Sequence, residues 1–304
     1  MFALFLGIGA LILGILAGVA LERLIARERL ILSLAPTSSH WSRWRPALIG
    51  TAAAAFAIAL WYAELVAGCL DTPEVQPPDW SRQVRVCYHT ALAIFLLLAT
   101  VIDLDCYLIP DAITIPGMVF GVTAALAFGD LQISHLWVDW NDAIPQLRGP
   151  FIPQWYIDYP PGHALAWSAA GLLAGSSLTL MVRALSSRVL GAETMGLGDI
   201  TLMAMIGSFL GWQAVVLTFA MAPLTGVAVG LVGKLLFNRP YLPYGPCLSA
   251  AALLVVFSWK WLWQSTRLMF SDLVGLAMLA GIGVVAMTLL LGLLRLYRSI
   301  PTGR

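Results

Sequence analysis

Two short stretches of this 304-residue chain place carboxylates where apolar sequence surrounds them. TVIDLDCYLIPDAITIP carries Asp103, Asp105 and Asp111, and AETMGLGDITL carries Glu193 and Asp199. Most of the 16 Asp and Glu fall in loops or beside basic residues, where solvent accounts for them; these five do not. A carboxylate in a membrane helix costs roughly 2–3 kcal/mol at full depth and less near the interface, so such residues usually line a wet cavity or a pathway. At the start of its apolar run, Asp199 meets the positive end of a helix macrodipole. Gly196 and Gly198 allow positive φ and close backbone approach, so MGLGD reads as a tight turn presenting Asp199 to a substrate's main chain. Ile109-Pro110-Asp111 is the companion turn, because Pro110 biases its predecessor away from helix. Two carboxylates brought together resist double ionisation and share one proton. The ionised member can then take a proton from water while the other polarises a scissile carbonyl, which is aspartic protease chemistry. Titration would belong to the pair.

The elements that position these acids are membrane helices. Of the residues, 60% are apolar and 11% charged, against about 25% charged in soluble domains. A bilayer core needs roughly 20 apolar residues per helix. Nine candidate segments lie near 1–21, 47–68, 86–104, 112–128, 163–187, 199–211, 213–236, 245–264 and 271–296. Alternating β-barrel patterning is absent, which leaves helices as the way to satisfy backbone hydrogen bonds in lipid. The expected fold class is all-α, a polytopic bundle. Met1 opens into apolar sequence with basic residues after it, so the first segment reads as a retained helix rather than a cleaved signal peptide.

Orientation follows from the 17 Lys and Arg. Arg23, Arg27, Arg29, Arg43, Arg45, Arg183, Arg188, Lys234, Arg239, Arg295, Arg298 and Arg304 fall on one side; Arg82, Arg85, Arg148, Lys260 and Arg267 fall on the other. The richer side is cytoplasmic by the positive-inside rule, giving an outer N-terminus, a cytoplasmic C-terminus and both acidic clusters on the cytoplasmic face. A net charge of +1, with no basic stripe of interleaved aromatics, gives no case for nucleic acid.

The four cysteines form no C-x-x-C pair, which argues against a zinc site. Cys69 and Cys87 both fall outside, where a disulfide and two inert thiols are equally open readings. The connection from Asp130 to Gly162 carries Trp137, Trp140, Trp155, Tyr156 and Tyr159 and reads as a loop on the membrane surface. Small-residue spacings at Gly14/Gly18 and Gly226/Gly230 permit close helix approach. Pro223 is a candidate kink.

Taken together, I-D-L-D-x3-I-P-D-x2-T (Ile102 to Thr114), E-x-M-G-x-G-D (Glu193 to Asp199) and YLPYGP (Tyr241 to Pro246) resemble the bacterial type IV prepilin peptidases, GxGD-class intramembrane aspartyl proteases. The resemblance runs from about Val86 to Leu253, with the motifs in order. It implies cleavage of the basic leader from prepilin or pseudopilin precursors at the cytoplasmic face of the bacterial plasma membrane, with no metal or cofactor. The two catalytic aspartates fall on Asp103 and Asp199. Asp111 and Glu193 match accessory acids, and Pro243, Tyr244, Gly245 and Pro246 border the active-site mouth.

The chain also departs from that pattern. Many members carry a cytoplasmic insert with two C-x-x-C pairs between the first two spans, linked to methylation of the new N-terminus; here that loop holds no cysteine, so methyltransferase activity is not expected. Thr201 stands where the family commonly has Lys. Residues 1–85 are then an N-terminal two-helix region, 86–264 the catalytic membrane core with an outer loop at 130–162, and 265–304 an added helix and tail.

Residue by residue, bland readings stand beside these. Asp105, two positions after Asp103, faces another way along a helix. Asp111 suits an Asx-turn or N-cap after Pro110. Glu64, near the outer end of the second segment, is expected to snorkel to the interface, and His89 lies a membrane's thickness from the acids. A transporter using the same acids would place them at midplane depth with inverted symmetry between halves. A non-catalytic protein that binds pilin-like helices is the other alternative, kept open by Thr201.

Overall fold

The computed structural model describes residues 1–32, 39–137, 154–191, 195–237 and 243–299. Glu193, Tyr241 and residues 138–153 of the outer loop, with Trp140, lie outside them. In order come α1 (Phe2–Ile31), α2 (Ser39–Trp61) ending in a π-helical turn (Tyr62–Val66), α3 (Asp79–Cys106), α4 (Asp111–Phe128), the short α5 (Gln154–Asp158), α6 (Pro160–Leu190), α7 (Leu197–Phe237), α8 (Gly245–Ser271) and α9 (Leu273–Ser299). Among the described residues, eight helices are long and apolar enough to cross a membrane.

α3 is the axis of the bundle. Its buried residues include Ser81, Arg85, Tyr88, His89, Leu92, Leu96, Ala99, Ile102, Asp103 and Cys106, a stripe at the helical period. That stripe carries Asp103 inward, and Asp105, two residues or about 200° further round, points elsewhere. Ile102 packs in one cluster with Leu202, Met203, Ile206 and Phe209 of α7 and Leu248, Val255 and Trp259 of α8. α9 rides outside, with none of its most apolar window buried.

α7 is one long helix by its ends but not by its path. Gly211 alone inside it departs from helical dihedrals, at φ 79° and ψ 172°. Gly175 of α6 lies against both Met203 and Val215, and Gly171 against both Gly207 and Gly211. Residues before and after the break therefore meet the same neighbours, and Phe219 returns to the cavity that Asp199 lines, so the two halves run antiparallel as a hairpin. The segments expected at 199–211 and 213–236 are its two arms, and the fold breaks at Gly211 rather than at Pro223, which remains helical.

Close packing uses some of the small residues singled out. A Cβ on Gly14 would sit 2.8 Å from Gly50 Cα, and one on Gly18 2.7 Å from Pro46 Cα, so α1 and α2 touch backbone to backbone. Gly226 faces Cys247, whereas Gly230 has no neighbour within 4 Å.

Two expectations are corrected, and one open alternative is resolved. Glu64 does not snorkel: it is fully buried, 2.7 Å from His89 Nδ1 and 3.6 Å from Arg85 Nε. The π turn holds its side chain against α3, which starts about two turns earlier than the apolar run implied and so takes Arg85 into the bundle. The start of the outer loop does not lie on the surface either. Leu131, Gln132, Ile133, Ser134 and His135 are buried, and their carbonyls are paired from within: Trp259 Nε1 donates to Ile133 O at 2.9 Å and Gln213 Nε2 to His135 O at 2.8 Å. Finally, Cys69 and Cys87 form no disulfide; all four cysteines are free. The Cys69 thiol instead faces Val256 O at 3.6 Å, and burial pushes it up to about 12, which keeps it protonated.

Candidate active site

One end of the bundle opens into a cavity of about 800 Å³. Its walls come from four places in the chain: Asp103 with Tyr107–Ile109, then Val182, Arg183 and Ser186 of α6, Met195–Asp199 with Phe219 of α7, and Pro243–Tyr244. Asp103 and Asp199 are 4% and 9% exposed, enough to reach the cavity without lying in bulk solvent.

Each carboxylate is held by a backbone N–H. Gly245 N donates to Asp103 Oδ2 at 3.1 Å, and Gly196 N donates to Asp199 Oδ2 at 3.1 Å. The second contact is a capping arrangement, in which an acid at the third helical position reaches back to the N–H preceding the helix. Local helix chemistry thus fixes where Asp199 points. On the other side, α3 stops at Tyr107, whose φ of 54° makes it the single non-glycine residue at positive φ among the described residues. Its N–H closes onto Asp103 O at 2.9 Å. A left-handed Tyr costs on the order of 1 kcal/mol, and here it ends the helix one turn beyond Asp103 so that Ile109-Pro110 can double back.

That return brings the two motif turns together. A Cβ on Gly198 would lie 2.7 Å from Ile109 O, and a Cβ on Gly245 2.5 Å from Asp103 Oδ2. Glycine is needed at both because another segment occupies the side-chain position. Gly196 has no such neighbour; a Cβ there meets nothing nearer than 3.6 Å. Pro246 starts α8 at a position where its missing N–H costs nothing. Tyr244 lines the mouth, and burial, with the charges of Cys247 and Asp199 nearby, pushes its phenol up to about 12. It remains a hydrogen-bond donor at neutral pH.

Asp105 and Asp111 do not line the cavity. Asp105 accepts from Arg29 Nε at 3.0 Å and Nη2 at 2.9 Å, and lies 3.6 Å from Arg45 Nη1. Arg45 in turn reaches Glu22 at 3.2 Å. Asp105 therefore ties α1 and α2 to the cavity end of α3. Asp111 is exposed in the first turn of α4, and Pro110 is buried behind it. Thr201 Oγ1 donates to Gly198 O at 3.1 Å. Sequence reasoning did not single out Tyr107, Ser186, Phe219 or Arg183 for the site. Arg183 sits in a run of ordinary helix, SSLTLMVRALSSRVL, and only the return of α7 beside α6 puts it on the cavity wall.

Comparison with known proteins agrees with the motifs. Residues 149–231 match the type IV leader peptidase family. The chain is 30% identical over 159 residues to the prepilin leader peptidase/N-methyltransferase of Aeromonas salmonicida, covering 51% of this chain and 44% of that protein. The protein of that name from Pseudomonas putida is 27% identical over 202 residues, 66% of this chain and 59% of that one. Its Pseudomonas aeruginosa counterpart is 30% identical over 175 residues, 57% and 48%. The chain thus spans about half the length of the relatives it matches. No solved structure matches it. Over residues 149–231, which hold the E-x-M-G-x-G-D motif, this chain is similar to the type IV leader peptidases.

Proposed function

We propose that the chain is a membrane-embedded aspartic endopeptidase that removes the leader from type IV prepilin-like precursors, with Asp103 and Asp199 as its catalytic pair. The observation that carries this reading is that two acids distant in sequence line one cavity at one end of the bundle, each with one oxygen held by a backbone N–H. In the reaction, one ionised carboxylate takes a proton from water as its oxygen attacks the scissile carbonyl. The other, protonated, gives its proton to the carbonyl oxygen. Collapse of the tetrahedral intermediate returns that proton and passes the first to the leaving amine, restoring the pair. Tyr244, a donor at the mouth, would hold the substrate backbone.

The orientation adopted puts the N-terminus outside and the cavity on the cytoplasmic face of the bacterial plasma membrane, where the excess of Lys and Arg lies. A basic leader would then dock from the cytoplasm while the precursor's apolar helix lies among the spans. Residues 86–264 would be the catalytic core, with 1–85 and 265–304 flanking it. Methylation of the new N-terminus, named in the relatives, is left out of the proposal, because the loop between α1 and α2 has no cysteine pairs. The transporter alternative fits less well, since both cavity acids sit at helix ends rather than in mid-bundle.

Asp103→Asn and Asp199→Asn are each expected to abolish leader removal from a co-expressed prepilin-like precursor, read by mass spectrometry of its N-terminus, while the protein still accumulates in the membrane. Normal processing by either variant removes the dyad.

A further inference from the structure

Arg183 is the only basic side chain lining the cavity among the described residues. It reaches across from α6 to donate Nη1 to Met195 O. The peptide unit that carries this carbonyl also carries Gly196 N, which donates to Asp199 Oδ2 at 3.1 Å. One planar peptide is therefore gripped at its oxygen by a cation and at its N–H by the acid. A peptide plane is rigid, so fixing its oxygen fixes the direction of its N–H. A cation on the oxygen also polarises the N–H, and linked hydrogen bonds of this kind reinforce one another. Arg183 and Asp199 line the same cavity, so the guanidinium stands on the carboxylate's side of that peptide. On the other flank, Thr201 brings no charge, only a hydroxyl that donates to Gly198 O.

We infer that Arg183 is a positioning residue for the proposed cleavage, orienting the Met195–Gly196 peptide so that its N–H holds Asp199 in the reactive geometry and supplying the positive charge beside that carboxylate. The inference rests on the peptidase reading and extends it to a residue outside the three motifs. The planar fork explains why an arginine fits here: it spans the cavity edge and directs its donor along the carbonyl, which a point charge on a flexible stem does less well.

The test uses the full chain in membranes with a prepilin-like precursor, measuring kcat and KM for leader removal. Arg183→Gln keeps an amide donor and loses the charge. It is expected to lose roughly 100-fold in kcat, the scale of a small misplacement of a reacting group, with KM changed by less than about threefold because the loss falls on the transition state. Arg183→Lys restores the charge without the fork and should recover to within roughly tenfold of the native rate. Arg188→Gln removes the same charge from the same helix away from the cavity and should leave both constants unaltered. An Arg183→Gln enzyme with native kcat overturns the inference, as does a Lys variant no better than the Gln variant. If the native chain cuts no precursor at all, the peptidase reading itself fails, which is a different result.

Discussion

Gly198 and Gly196 look alike in MGLGD, yet their side-chain positions face different things. A Cβ on Gly198 would press 2.7 Å from Ile109 O and 2.9 Å from Ile109 Cβ, backbone and near-backbone atoms that cannot swing aside. On Gly196 a Cβ meets Asp199 Oδ2 at 3.6 Å, an ordinary contact, and the N–H that holds the acid is kept. Gly198→Ala should therefore push the start of α7 away from the Ile109-Pro110 turn and separate Asp199 from Asp103. A shift of about 1 Å is enough to lower cleavage by on the order of 100-fold. Gly196→Ala should cost far less, and comparing precursor processing by the two variants at matched membrane levels checks the difference. The sequence pointed to close approach in this turn but treated both glycines the same. Only the position of Ile109 separates them, and that is set by a segment some ninety residues earlier.

At the scale of elements, the α7 hairpin decides whether there is a site at all. Its first arm carries Asp199 in its first turn, and Phe219 of its second arm returns to the same cavity wall. Gly211 makes this possible at φ 79° and ψ 172°, a region open essentially to glycine alone. Its Cβ position is also filled, 2.1 Å from Trp167 Nε1. Gly211→Ala is expected to cost at least about 1–3 kcal/mol from the backbone alone, with the Trp167 clash added. Thermal unfolding in detergent should show a lowered midpoint, and cleavage should fall with the folded fraction. The two arms were legible as adjacent short apolar segments because hydropathy drops where the chain turns. The burial of 131–135 was not, since aromatics and prolines signal an interface whether or not Trp259 and Gln213 wait inside to pair the loop's carbonyls.

Across the whole molecule, α3 is pinned at both ends by ion pairs to the N-terminal helices. At the cavity end Asp105 is gripped by Arg29 and Arg45, and at the other end Arg85 and His89 enclose Glu64. The linked motifs made the cavity acids readable from sequence, because their order and spacing constrain one another. A lone acid such as Glu64 has no local signal naming its partners, and interface snorkelling was the cheaper explanation until α3 proved long enough to bring Arg85 inside. The consequence is a division of labour that can be measured. Glu64 and Arg85 are both fully buried, so removing Glu64 strips the guanidinium of its carboxylate and removing Arg85 leaves the carboxylate with His89 alone; breaking such a buried pair costs about 3–5 kcal/mol, whereas replacing both members with apolar residues of similar volume can be nearly neutral. Glu64→Leu and Arg85→Met should each lower the unfolding midpoint in detergent, and the double variant should regain most of the loss. Since the pair lies along α3 far from Asp103, the folded fraction of every variant should cut precursor at the native rate. A double variant as unstable as the sum of the singles would mean that Glu64 and Arg85 act independently, and reduced kcat per folded molecule would mean that this end of α3 reaches the carboxylate pair.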